Sequence, residues 1–119
     1  MIQFDVITVT KNSSNCIQTT LSSVKSQTYQ CINHIIIDGY SFDNTIDIIK
    51  NFDHSKCLYV FQEKPLGIAN AFNHGLLKSS GDLILFLNSG DQFFDENVVQ
   101  KLVKSYTQHC WDWAFGETI

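Results

Sequence analysis

Proline occurs once in the 119 residues, at Pro65, and no tract is repetitive or of low complexity. With a hydrophobic fraction of 44%, so little proline excludes a disordered linker and leaves a globular chain of one domain. Basic residues are few as well. Eight stand against twelve acids, the net charge is −4, and no basic block exists, which argues against a general nucleic-acid surface. No apolar run approaches the ~20 residues needed to span a bilayer. The start, MIQFDVITV, lacks the basic opening and long apolar stretch of a signal peptide and reads as a strand at once, so a cytoplasmic address is expected. Cys16, Cys31, Cys57 and Cys110 form no CxxC pair, and His34, His54, His74 and His109 lack ligand spacing. Reduced, mostly buried thiols and no structural zinc are the expectation.

What is present alternates. Residues 3–10 read as a strand, and Ile17, Leu21 and Val24 then recur at helical spacing behind the capping candidates Asn12 to Ser14. Ile32 to Asp38 is nearly continuous in apolar character, as expected of a strand covered on both faces. Ile46, Ile48 and Ile49 mark a short helix, Cys57 to Gln62 a third strand, and residues 68–78 a helix burying Ile68, Ala71, Phe72 and Leu76. Leu83 to Leu87 is a fourth strand. A helix capped by Asp95 follows, using Val98, Val99, Leu102, Val103 and Tyr106, and WDWAF begins a fifth strand. The order βαβαβαβαβ predicts a mostly parallel α/β sheet with helices on both faces. Ligands of such sheets sit beyond the carboxyl strand ends. The polar turns at Thr10, Asp38 and Asn88 all fall there.

Three stretches carry candidate chemistry. In DGYSFDNT, Asp38 directly follows a buried strand and needs a partner, and Gly39 permits close backbone approach. Ser41 and Asp43 read as caps of the next helix. In LNSGD, Asp91 with the oxygens of Asn88 and Ser89 suits a hard divalent ion that keeps water and takes phosphate oxygens. An ordinary Asx-type turn using Asn88 and Gly90 explains the same residues. In EKPLGIANAFNHG, Gly67 precedes a helix whose N-terminus could face an anion. Asn70 and Asn73 lie on that helix, where Asn73 is unfavourable unless its amide is used. Ile68 and Phe72 read equally as core, and Lys64 as a solvated loop lysine.

Taken together, these stretches resemble the inverting family-2 glycosyltransferases of GT-A fold, over nearly the whole chain and in the family's order. VITVTKN is similar to the family's opening strand, with Val9 and Lys11 in place of its proline and tyrosine. IIIDGYSFDNT resembles its Asp-(Asp/Gly)-Gly-Ser-x-Asp-x-Thr segment, with Tyr40 in place of the second glycine. GIANAFNHG looks like its Gly-x-x-x-Ala-x-Asn-x-Gly helix, and GDLILFLNSGD like the strand entering the DxD-type motif. The resemblance implies a Rossmann-like fold and a donor site for a nucleotide-diphosphate sugar, with a UDP-sugar expected. By analogy Thr10, Asp38 and Gly39 would line the nucleoside pocket, with Gly67, Asn70 and Asn73 on its side wall. Asn88, Ser89 and Gly90 would lie near ribose and diphosphate, and Asp91 would hold Mg2+ or Mn2+, polarising the leaving diphosphate. Thr10, Asp38 and Asp91 are thus expected to converge on one cleft.

Departures from the pattern are specific. Gly39 stands where many relatives place a second aspartate against the nucleobase, Gly90 where many carry another acid, and Phe72 at a commonly basic position. Residues 1–119 are expected to form a donor-binding domain, truncated before the acceptor half. The catalytic base, a carboxylate in this family, is expected beyond Ile119, and Glu117 is expected in solvent. The parent enzyme would serve polysaccharide or lipopolysaccharide biosynthesis with a saccharide or lipid-linked acceptor, cytoplasmic or at the inner membrane face. A binding module without turnover is the alternative. A Rossmann dinucleotide domain is disfavoured because VTKNSSN carries no GxGxxG. Ending at WDWAF would leave an open sheet edge with Trp111, Trp113 and Phe115 partly exposed, so self-association is expected.

Overall fold

The computed structural model describes residues 1–113. Seven-residue strand β1 (Phe4–Thr10) is buried along its whole length and forms the axis of a four-stranded sheet of order β3-β2-β1-β4. The other strands are β2 (Ile32–Asp38), β3 (Cys57–Gln62) and β4 (Leu83–Phe86), interleaved with α1 (Ile17–Lys25), α2 (Thr45–Asn51) and α3 (Ile68–Lys78), and followed by α4 (Val98–His109). All three pairings are parallel, with Phe4 opposite Ile32 and Leu83, and Asp38 opposite both Thr10 and Gln62. The chain steps outward from β1 to β2 and β3, then returns to the far side of β1. The topological switch therefore lies between β1 and β4.

Strand parity assigns the helices to faces. Even positions of β1 and β2 point to one side, where Ile36 packs with Ile17, Leu21 and Ile49 from α1 and α2. On the same face, Phe4 and Val6 pack with Leu83, Leu87, Val99 and Val103, which brings in α4. Odd positions point to the other side, where Ile7, Val9, Ile35 and Ile37 meet Ala71 and Phe72 of α3. Fully burying each such isoleucine contributes roughly 1.5–3 kcal/mol. Both faces of β2 are therefore covered, as its nearly continuous apolar run requires.

The α3 packing differs from the expected one. Ile68 is 60% and Leu76 45% exposed, while Ala71 and Phe72 are half-buried. The cause is Gly75, the buried residue of this helix. A Cβ there would lie 2.4 Å from Ile7 Cγ2, so the helix backbone rests directly on β1 and its flanking side chains splay outward. Other expectations are also corrected. Trp111–Trp113 are irregular, not strand, and the remaining residues of the fifth strand lie outside those described, as does Phe115. Trp111 is half-buried against Tyr106, and Trp113 is 75% exposed. The four cysteines are free, as expected, but Cys57 and Cys110 are exposed. Among the described residues no helix is long and apolar enough to cross a membrane.

Candidate functional site

The loops after β1 and β2 are stapled to each other. Asn12, at φ 49°, donates its backbone N–H to Ser41 Oγ and accepts from Phe42 N–H through Oδ1. Ser13 N–H donates to Thr45 Oγ1 at 2.8 Å, and Ser14 N–H to Asp43 Oδ2 at 3.1 Å. Asp43 also accepts from the backbone and hydroxyl of Thr45. Those bonds, the Thr45 hydroxyl foremost, pull the Asp43 carboxyl down to about 2. The expectation of two helix caps is therefore modified. Asp43 does serve the start of α2, whereas Ser41 serves Asp38 and the neighbouring loop.

Asp38 is wholly buried. Its carboxylate accepts from Ser41 N–H at 2.9 Å, Ser41 Oγ at 2.5 Å and Gln62 Nε2 at 3.2 Å. A buried carboxylate needs such donors to offset its lost hydration. It has them within the protein, so it orders the turn from beneath.

The turn after β4 is held by a residue that the sequence reading did not single out. Thr20, buried on α1, receives Gly90 N–H at 2.8 Å on its hydroxyl and donates that hydroxyl to Asp91 O at 2.7 Å. Ser89 Oγ lies 3.1 Å from Ser13 Oγ, joining this turn to the first loop. Its signal was present: Thr20 follows Ile17 by three positions and precedes Val24 by four, which puts its hydroxyl on the inner helix face.

Between these turns and α3 lies a cavity of about 300 Å³, at the lower end of the size typical of small-molecule sites. Val9, Ile37 and Ala71 give it apolar walls, and it opens at the switch between β1 and β4, where Asn88 and Ser89 line it. Of the expected residues, Thr10, Gly39, Gly67, Asn88 and Ser89 border the cavity; Asp38, Asn70, Asn73, Gly90 and Asp91 do not. Asn70 is half-buried, and Asn73 and Gly90 are exposed. Gly67 has φ 102° and ψ 161°, a conformation that glycine adopts freely, and it sets the entry angle of α3. The three carboxyl-end turns thus converge, but the three predicted side chains do so only in part.

Two polar atoms at the cavity make no hydrogen bond. Thr10 is 6% exposed, and its Oγ1 makes no hydrogen bond; His74 Nδ1 is buried in the same condition. His74 Nδ1 instead abuts a Glu63 carboxylate oxygen, outside hydrogen-bonding geometry. Glu63, His74 and Lys11 all line the cavity and were missed in the sequence. Strand alternation beyond Gln62, and the three-residue step from Ala71 on α3, point two of them inward. An orphaned buried hydroxyl costs about 1–3 kcal/mol, a cost that a ligand supplying a partner removes.

A metal's fit can be judged from Asp91. Its carboxylate is exposed and accepts no hydrogen bond within the described residues, where no group of three or more His, Cys, Asp or Glu gathers. That donor set fits a hard cation held mainly by water and by a ligand's phosphates. It does not fit an all-protein metal cage.

Parallel strands in this order, with a mostly apolar cavity at their carboxyl ends, make an α/β domain that resembles the GT-A type. Glycosyl transferase family 2 matches residues 5–118, and the chain belongs to that family. It is 36% identical over 101 residues to the uncharacterized glycosyltransferase Rv1514c of Mycobacterium tuberculosis, covering 84% of this chain and 38% of that relative. Among solved structures, S. aureus TarS 1-349 in complex with UDP superposes with TM-score 0.85 at 25% identity, over 92% of this chain and 33% of the other. The mannosyltransferase PcManGT of Pyrobaculum calidifontis, in complex with GDP-Man and Mn2+, superposes with TM-score 0.82 at 20% identity, over 88% and 32% respectively. The chain therefore spans well under half the length of these relatives.

Proposed function

We propose that the chain is the donor-binding part of a glycosyltransferase, holding a nucleotide-diphosphate sugar, with a UDP-sugar expected, in the cavity between α3 and the carboxyl ends of β1 and β2. The observation that carries this is the buried, partnerless Thr10 hydroxyl on the wall of that cavity, in a family whose neighbour TarS is known with UDP. The apolar walls take a flat ring, while Asn88 and Ser89 offer polar groups at the mouth for ribose or phosphate. Asn70, Asn73 and Gly90 flank the path outward. Asp91 is the residue that would hold Mg2+ or Mn2+. When bound, such an ion neutralises the diphosphate as it leaves. Asp38 acts from below by fixing the turn.

Transfer would proceed with inversion at the anomeric carbon to a saccharide or lipid-linked acceptor in polysaccharide or lipopolysaccharide assembly, in the cytoplasm or at the inner membrane face. Titration of the chain with UDP, with and without Mn2+, tests the reading. Metal-enhanced binding is expected, and Asp91→Ala should remove the metal-dependent part without lowering the melting temperature. Unchanged metal dependence in that variant refutes the role of Asp91. A donor-hydrolysis assay separates a transferase from the alternative, a binding module without turnover.

A further inference from the structure

Asp38 does not line the cavity, and Ser41 and Gln62 already donate three hydrogen bonds to its carboxylate. Nor does position 39 supply a group. A Cβ on Gly39 would lie 3.2 Å from Pro65 Cβ and 3.5 Å from Lys11 Cβ, so the loop after β3 leans on that glycine, which itself carries no side chain to offer. A ring entering between Val9, Ile37 and Ala71 would therefore meet other polar groups. The β3 ladder continues past Gln62 through Glu63 N–H to Asp38 O at 2.9 Å. Strand alternation then sends the Glu63 side chain to the α3 face, where it meets His74. The side chains are 25% and 32% exposed: held, but open to a ligand.

We infer that Glu63, positioned by His74, selects the nucleobase, favouring one with a ring N–H, as in uracil or guanine, over cytosine or adenine. This rests on the donor-site reading above. An ionised carboxylate only accepts hydrogen bonds. His74 abuts one Glu63 oxygen, which leaves the other for the ring N–H of uracil or guanine. Cytosine and adenine present a bare ring nitrogen at the equivalent edge, so two lone pairs would face each other. Thr10 Oγ1 can donate or accept and so adapts to either base class. His74 is a positioning residue, and removing it frees the carboxylate to swing into solvent.

Calorimetric titration of the 119-residue chain with UDP, GDP, CDP and ADP tests the inference, with inorganic pyrophosphate as a probe lacking a base. The parent should bind UDP or GDP at least about tenfold more tightly than CDP or ADP, the scale of one discriminating hydrogen bond. In Glu63→Gln, whose amide both donates and accepts, the ratio should fall to within about threefold. His74→Ala should reduce the same ratio while pyrophosphate affinity stays put, and melting curves confirm that both variants are folded. Binding with an unchanged ranking in folded Glu63→Gln overturns the inference and leaves the donor site standing. If the parent binds none of the four nucleotides, the donor-site reading fails and this inference falls with it.

Discussion

His34 gives the most exacting test of the fold beneath the site. It sits mid-strand in β2, 2% exposed, with its ring Nε2 2.8 Å from Thr8 Oγ1 on β1. Burial drives the imidazole pKa down from 6.5 to about 3, and His54 adds a smaller push in the same direction. Between those two values the unfolded chain binds a proton that the folded chain refuses, so stability falls as pH falls. The loss amounts to about 1.4 kcal/mol per pH unit, or roughly 2 kcal/mol between about pH 6.5 and about pH 5. Against the roughly 5–15 kcal/mol typical of a domain, that is readily measured. Urea denaturation at about pH 7.5 and about pH 5 should record it. In His34→Gln, whose amide reaches for Thr8 but does not titrate, the pH-dependent loss should shrink by about the same 2 kcal/mol. An equal loss in parent and variant would refute the reasoning, because groups common to both proteins would then be responsible.

Gly75→Ala should lower stability by about 1–3 kcal/mol in thermal or urea unfolding, the usual cost of overpacking, since its methyl would overlap Ile7. Asp38→Asn removes a charge that three donors hold and should cost about 1.5–3 kcal/mol. It should also weaken UDP binding through the loosened loop, visible as lower affinity with little change in metal dependence. Among the described residues β4 is an edge strand, with Ile84, Phe86 and Trp113 at 38%, 50% and 75% exposure, and we propose that this apolar edge supports self-association. Sedimentation over a concentration series would show it, and a clean monomer at high concentration would count against it.

Strand positions were legible because the apolar runs are strong and bounded by polar turns. β2 and β3 match their expected limits, and α3 covers residues 68–78 as read. Where the turns lie relative to the sheet followed from the βα alternation. What escaped was everything decided by side-chain competition. Asp38 reads as a ligand group in sequence, yet Ser41, three residues on, takes its carboxylate first. Helix periodicity put Ile68 and Leu76 inside; the close seat of Gly75 on Ile7 turned them out. Tyr40 occupies the left-handed region at φ 56°, which gives a physical reason for glycine in the resembling motif. Glu63 and His74 went unnoticed because each is unremarkable alone and they meet only through the fold.

The stitching of the first two loops divides the work of this cavity between a fixed wall and a variable one. The fixed wall is built from hydrogen bonds that reach across about thirty positions of sequence, as Asn12 does to Ser41 and Phe42, so a change in any one of them disturbs the others. The opposite wall draws on one short exposed loop and one helix face, whose residues bond little to the rest. Substitutions at Lys64 or Ile68, both exposed and on the cavity lining, can therefore be combined freely in a library that retunes ligand choice while the scaffold stays as it is.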